Sequence, residues 1–244
     1  MSKVKEAFDI LFVLLTSVYL LYTLTVSPEN FKWALIYTSM VLLYFVALIL
    51  SKFYPSVIDV KTYGKKSIFP FNIMVLISFA VFFFMIIRAG TLGYSIVDAP
   101  VFSALGTGPE FEPLRSGIAG IIENRFFFCF LFFTILASLM IFFQKEFALP
   151  LAILINSFIF TAYHFLVYGS QSTAILKVFI FGLISSVAIY FTRFPLLIDA
   201  IHAGSNIGVT WARISDVSIF IYLQTLLPWI VGLVILYLLW KRFR

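Results

Sequence analysis

The stretch GIAGIIENRFFFCFLFFTILASLMIFF, residues 117–143, carries one acidic and one basic residue within a long apolar run. A helix needs about 20 mostly apolar residues to cross the hydrocarbon core of a bilayer. The stretch therefore predicts a transmembrane helix, and Glu123 and Asn124 lie inside it. An ionisable side chain is costly at membrane depth, so its presence there is by default a hypothesis of function.

Similar apolar runs recur along the chain and predict its fold class. We expect an all-α, polytopic membrane protein of about eight transmembrane helices, forming a single membrane domain over residues 1–244. The first run lacks a small-residue cleavage site, so we interpret it as a retained helix rather than a signal peptide. The predicted spans are 8–26, 32–51 and 69–88 within an N-terminal region of residues 1–88, then 117–143, 147–168, 173–192 and 195–211 within a core of residues 117–211, and finally 217–240.

The composition excludes a soluble domain. Hydrophobic residues make up 62% of the chain and charged residues 11%, whereas a soluble domain carries roughly a quarter charged residues. The net charge of +6 comes mainly from short loops and the termini, which is typical of membrane topology and does not indicate nucleic acid as a partner. Most lysines and arginines fall on the side that holds both termini, so the multi-pass protein is predicted to have cytoplasmic N- and C-termini.

Residues 89–116 form a long connection that is rich in glycine and proline. A connection of this length usually has a function. It is either a lid or re-entrant segment over a cavity, or an ordinary extramembrane loop with a short surface helix.

Both histidines of the chain, His164 and His202, also lie in apolar runs. Residues four apart share a helix face, so Phe160 lies beside His164 and Asn206 beside His202. A glutamate next to a histidine can hold and activate a water molecule as a general base. A second histidine and an asparagine can donate hydrogen bonds to a developing oxyanion. Such a hydrolase needs no cofactor, but two histidines and one glutamate also form a familiar catalytic zinc set, which leaves zinc as the alternative.

Three sequence motifs then carry a resemblance to a known family. Glu123-Asn124, Phe160-x-x-x-His164 and His202-x-x-x-Asn206 occur in that order, and a span ending in Tyr190-Phe191-Thr192-Arg193 separates the two histidines. This order resembles the CPBP family, the CAAX-prenyl-protease and bacteriocin-processing intramembrane endopeptidases, over roughly residues 115–210. The resemblance implies hydrolysis of a peptide bond in a membrane-associated or lipidated substrate, with Glu123 as the base acting together with His164.

The first motif departs from the family pattern of Glu-Glu-x-x-x-Arg. Asn124 replaces the second glutamate and Phe128 stands where the arginine is expected, while Arg125 lies about one helical turn away from that position. We therefore include Asn124, Arg125 and Asp199 as supporting residues. Asp199 either orients the His202 imidazole or faces the inner aqueous boundary.

Other interpretations of the same residues stay open at this point. Glu123 could form an ion pair with Arg125 or Arg115 that joins two helices, and the many Phe and Tyr residues are typical of lipid contacts and interfacial belts. The departures in the first motif favour a catalytically silent binding or scaffold protein derived from the family. A transporter or proton relay is the third class, although the sequence has no convincing inverted repeat.

Overall fold

The computed structural model describes residues 10–11, 13–20, 31–53, 71–92, 112–169 and 172–214. Nearly every residue in these ranges is helical and none is in a strand, which confirms the all-α prediction. Helices satisfy their backbone hydrogen bonds internally, which is what an apolar chain in a bilayer requires.

The described helices are numbered here in chain order after a helical stretch at 13–20. They are α1 (Phe31–Phe53), α2 (Phe71–Leu92), α3 (Glu112–Asn124), the π segment (Arg125–Leu131), α4 (Phe132–Leu139), α5 (Lys145–Tyr168), α6 (Ser172–Thr192) and α7 (Pro195–Ile214).

Among the described residues, four helices are long and apolar enough to cross a membrane: Ile73–Thr91, Pro113–Leu139, Lys145–Leu166 and Ser172–Thr192. They correspond to four of the predicted spans. The predicted spans 32–51 and 195–211 are also helical, but α1 has only a shorter apolar stretch, Ala34–Leu50, and α7 carries several polar residues. The predicted span 8–26 is described only in its middle, and 217–240 lies outside the described residues, so the count of eight stays a prediction.

The ends of the predicted loop 89–116 are helical in the structure. Residues 89–92 continue α2, and α3 begins at Glu112. The loop boundaries are therefore wrong at both ends, because both helices continue where they pack on α7: Gly90 lies close to Gly208, and the hydroxyl of Ser116 lies 3.0 Å from that of Thr210. Residues 93–111 lie outside the described ranges.

The helix made of α3, the π segment and α4 is the central element. Every residue from Arg115 to Arg125 is buried, and two thirds of its most apolar window is inside the molecule, against about a third or less for the other three long helices. α3 packs along α7, which also packs against α2, while the π segment contacts α1, α5 and α6. The central helix thus contacts α1, α5, α6 and α7.

The π segment follows directly after Glu123 and Asn124. The backbone N–H of Phe132 donates to the carbonyl oxygen of Phe127, five residues earlier, which is the hydrogen-bond spacing of a π-helix. Phe127 and Phe128 are buried against Phe160 of α5, with ring centroids 5.2 and 5.1 Å apart. Turns of this kind are frequent at functional sites.

The connection between α6 and α7 is short. α6 ends at Thr192 and α7 begins at Pro195, a residue favoured in the first helical turn because its missing N–H has no helical partner there. Arg193 turns the chain with a φ of 50°, and its guanidinium lies 4.2 Å from the centroid of the Phe133 ring. α4 packs against α5, so the fourth and fifth predicted spans are neighbours in the bundle.

Candidate functional site

Glu123, His164 and His202 meet inside the helical bundle. Oε2 of Glu123 lies 3.6 Å from Nε2 of His164 and 3.7 Å from Nε2 of His202. The three side chains come from α3, α5 and α7, and all are buried, with 5, 5 and 8% of their surface exposed. We call these three residues the polar centre.

Gly120 explains how α7 can bring His202 to this depth. A Cβ added at Gly120 would lie 3.0 Å from Nδ2 of Asn206 and 3.1 Å from Cγ of His202. A larger residue would displace both side chains. The close packing of α7 on α3 therefore brings His202 next to Glu123, a contact that helix periodicity alone cannot predict.

Two tyrosines hold the other oxygen of Glu123. The hydroxyl of Tyr37 on α1 donates to Oε1 at 2.6 Å, and the hydroxyl of Tyr163 on α5 donates to the same oxygen at 3.0 Å. The two phenol oxygens lie 3.3 Å apart. Sequence reasoning missed both residues, and their interpretation as lipid contacts is wrong, because each contributes a hydrogen bond to the buried carboxylate.

The hydrogen bond of His164 determines which of its nitrogens faces Glu123 as an acceptor. Nδ1 lies 2.9 Å from the carbonyl oxygen of Phe160, four residues earlier on α5. A carbonyl oxygen can only accept, so Nδ1 carries the hydrogen. In the neutral imidazole, Nε2 then presents a lone pair to the centre.

His202 is oriented in the same way by a chain of polar contacts. Its Nδ1 lies 3.0 Å from Oδ1 of Asn124, and Nδ2 of Asn124 donates to Oδ1 of Asp199 at 3.3 Å. Nη2 of Arg125 donates to Oδ2 of Asp199 at 2.5 Å. Because the carboxylate of Asp199 only accepts, the Asn124 oxygen faces His202 and Nδ1 must donate to it. Nε2 of the neutral His202 ring therefore also carries a lone pair.

The supporting residues lie where this chain of contacts requires them. Asp199 is buried, so the interpretation that it faces an aqueous boundary is wrong, and it acts on His202 through Asn124. Arg125 pairs with Asp199 on α7. The sequence motif singled out Asn124 and Arg125, but it could not predict that both donate to the carboxylate of Asp199.

Asn206 lies beside the polar centre with its amide directed elsewhere. Nδ2 donates to the backbone oxygen of Ser116 at 3.0 Å and so links α7 to α3. The neutral His202 ring has a lone pair at Nε2, so it donates to an oxyanion only as an imidazolium. The oxyanion role predicted for these two residues stays a prediction that needs a rearranged amide or a protonated ring.

Aromatic rings surround the two imidazoles. The ring of Phe160 lies 4.3 Å from that of His164, Phe181 lies 4.9 Å from His202, and Tyr168 stacks on His164 at 5.9 Å. Such an apolar wall strengthens electrostatic interactions inside the site, because little water screens them.

The polar centre also fits the donor set of a metal site. One ligand atom from each of Glu123, His164 and His202 lies within 4.8 Å of the others. Comparison of the chain with family models, with curated proteins and with solved structures finds no match. The chemistry of this site is therefore inferred from its residues.

Proposed function

We propose that the protein is an intramembrane endopeptidase that hydrolyses a peptide bond with water activated at the polar centre. The observation that carries the proposal is the convergence of the Glu123 carboxylate and two imidazole Nε2 atoms at 3.6–3.7 Å in a buried position. Water activation needs a general base within reach of the water, and this centre offers both a carboxylate and imidazole nitrogens at a depth where ionisable groups are costly.

The reaction adds the oxygen of water to the carbonyl carbon of the substrate. One proton of that water passes to a basic group of the centre, either Glu123 or Nε2 of His164, and a tetrahedral oxyanion forms. The C–N bond then breaks, and the proton passes to the leaving amine nitrogen. The products are a carboxylic acid and an amine, so water is the co-reactant and no oxidant or reductant is required.

The membrane surroundings favour a substrate that is itself membrane-associated or lipidated. Large apolar side chains such as Phe83, Phe158 and Leu176 are exposed on the outer faces of the helices, where lipid would cover them. We propose an integral, multi-pass protein with both termini in the cytoplasm, in accord with the distribution of its basic residues.

The departures in the first motif do not by themselves favour a silent scaffold. Asn124 supplies the acceptor for His202, and Arg125 supplies the charge that holds Asp199. A decayed site would leave these buried polar groups unmatched, at a cost of about 1–3 kcal/mol each. The contacts of Asn124 with His202 and of Arg125 with Asp199 support an arrangement that still orients the centre.

The test measures cleavage of a membrane-anchored peptide library by purified protein in lipid vesicles. We expect Glu123→Gln to lower turnover at least about 100-fold, the usual contribution of a general base, and Tyr163→Phe to lower it less. Glu146→Gln changes an exposed glutamate outside the site and should cleave like the unaltered protein. Equal turnover in the unaltered protein and Glu123→Gln contradicts the proposal. Absence of cleavage together with retained partner binding by His164→Ala indicates the scaffold alternative.

A further inference from the structure

We propose that Tyr37 and Tyr163 are positioning residues for the proposed hydrolysis. They hold one oxygen of Glu123, so that the other oxygen faces the two imidazoles and the attacking water. This role rests on the proposed function and deepens it. It also makes α1, which carries none of the three sequence motifs, a part of the site.

The two oxygens of the Glu123 carboxylate have different partners. The hydroxyls of Tyr37 and Tyr163 both donate to Oε1, at 2.6 and 3.0 Å. The Nε2 atoms of the two histidines lie 3.6 and 3.7 Å from Oε2. The carboxylate cannot exchange its oxygens by rotation without breaking both hydrogen bonds. Oε2 is therefore the oxygen that meets a water molecule at the polar centre.

The contact between Tyr37 and Glu123 has the length of a strong hydrogen bond. A hydroxyl that donates to an ionised oxygen lies about 2.5–2.7 Å from it, and such bonds are roughly twice as strong as those between neutral groups. Tyr37 is buried, so little water competes for its hydroxyl or for Oε1. The bond therefore holds Glu123 from a helix that carries neither histidine.

Tyr163 and His164 approach the same carboxylate from consecutive positions of α5. Tyr163 donates to Oε1, and Nε2 of His164 lies 3.6 Å from Oε2. Their rings are nearly perpendicular, at 88°, and the Tyr163 ring also lies 5.3 Å from that of Phe127 in the π segment. The two neighbouring side chains thus fix the orientation of the carboxylate relative to the imidazole.

The two hydroxyls share one acceptor, so their effects depend on each other. Their oxygens lie 3.3 Å apart. Removal of one hydroxyl leaves the other bonded to Oε1, and Glu123 keeps most of its orientation. Removal of both takes away the two donors that hold this oxygen, and the side chain can then turn. The loss in the double variant should therefore exceed the product of the two single losses.

The experiment measures kcat and KM separately, with the full chain in lipid vesicles and the membrane-anchored peptide that the unaltered protein cleaves best. Tyr37→Phe and Tyr163→Phe should each lower kcat about 3- to 10-fold, and the double variant about 100-fold or more, the effect of a reacting group displaced by about 1 Å. KM should stay nearly unchanged, because neither hydroxyl binds the substrate.

Tyr44→Phe is the matched control. Tyr44 is another buried tyrosine of α1, and it lies about two helical turns, or about 10 Å, beyond Tyr37. Its substitution removes the same kind of hydroxyl from the same helix at a distance from the polar centre. Both kcat and KM should equal those of the unaltered protein.

Infrared spectroscopy gives a readout that does not depend on cleavage. The carboxyl band of Glu123 is identified by its loss in Glu123→Gln. This band should shift in Tyr37→Phe and in Tyr163→Phe, because a hydrogen bond to Oε1 changes the stretching frequency. It should stay in place in Tyr44→Phe. If one tyrosine variant does not fold, the other provides the same comparison.

The outcomes separate the role of the tyrosines from the proposed function. Cleavage that depends on Glu123, with an unchanged kcat in the double tyrosine variant, overturns the positioning role and leaves the hydrolase intact. A raised KM at constant kcat also overturns it, because the hydroxyls would then bind substrate. An unchanged Glu123 band in both variants overturns the contacts themselves. Equal turnover in Glu123→Gln and the unaltered protein contradicts the hydrolase, whereas a shifted band still supports the hold of the tyrosines on Glu123.

Discussion

At the scale of single residues, the orientation of His202 depends on polar contacts that end at a buried ion pair. Asn124 links the imidazole to Asp199, and Asp199 pairs with Arg125. A buried ion pair contributes little net stability, but removal of one partner leaves an uncompensated charge. The pair therefore serves mainly to hold the amide of Asn124 in one orientation.

This role predicts different effects on stability and on activity. Arg125→Met and Asp199→Leu alone should each destabilise the protein by about 3–5 kcal/mol, because each removes one member of a buried ion pair. The double substitution should recover most of that loss, since both charges are removed. Its cleavage rate should stay low, because Asn124 no longer has the carboxylate that orients it toward His202.

The measurement combines thermal unfolding in detergent with cleavage rates for all four proteins of the cycle. Full recovery of activity in the stable double variant would show that the ion pair does not position His202.

The two tyrosines illustrate a limit of sequence reasoning at the same scale. A tyrosine in an apolar helix is as compatible with a membrane interface as with a buried hydrogen bond. Tyr163 precedes His164, which places it on a different face of α5, and Tyr37 lies far away in the chain. Only the packing of α1 against α3 and the π segment brings Tyr37 to Glu123.

At the scale of elements, the packing of α7 on α2 and α3 depends on small residues. A Cβ at Gly208 would meet the backbone oxygen of Ile86, and one at Gly204 would lie 2.7 Å from that of Phe82. Backbone atoms cannot move aside as flexible side chains can. The glycines thus allow the close approach of α7 to α2 and help to set the position of His202.

This packing predicts a graded series of alanine substitutions. Gly208→Ala should destabilise most, Gly204→Ala less, and Gly182→Ala least, since a Cβ at Gly182 would lie 3.1 Å from Cα of Ser157. Overpacking of this kind costs about 1–3 kcal/mol. Thermal unfolding in detergent measures the order, and the reverse order would contradict close backbone packing as its cause.

At the scale of the whole molecule, four of the described helices have the length and composition of membrane spans. The distribution of lysine and arginine predicts their orientation in the bilayer. Gln144 and Thr173 suit a test of this orientation, because both are exposed. Gln144 directly precedes α5, and Thr173 lies at the start of α6, next to the other end of α5.

Labelling of single cysteines in a Cys129→Ala background should therefore depend on the side of the membrane. Gln144→Cys is expected to react with an impermeant reagent from the cytoplasmic side and Thr173→Cys from the opposite side, since Lys145 lies on the side predicted to hold both termini. Reaction of both positions from the same side would contradict a span between them. A reversed pattern would contradict the orientation.

The sequence by itself determined the helical membrane class and the identity of the polar residues in the centre. Long apolar runs allow only helices in a bilayer, and buried Glu123, His164 and His202 are too costly to be incidental. Their convergence was decided by tertiary structure alone, because the depth of a residue in one helix does not specify the register of its neighbour. The same holds for Tyr37, for the link from Asp199 through Asn124 to His202, and for the amide of Asn206. Each depends on a contact between helices, where a single glycine such as Gly120 changes which side chains can meet.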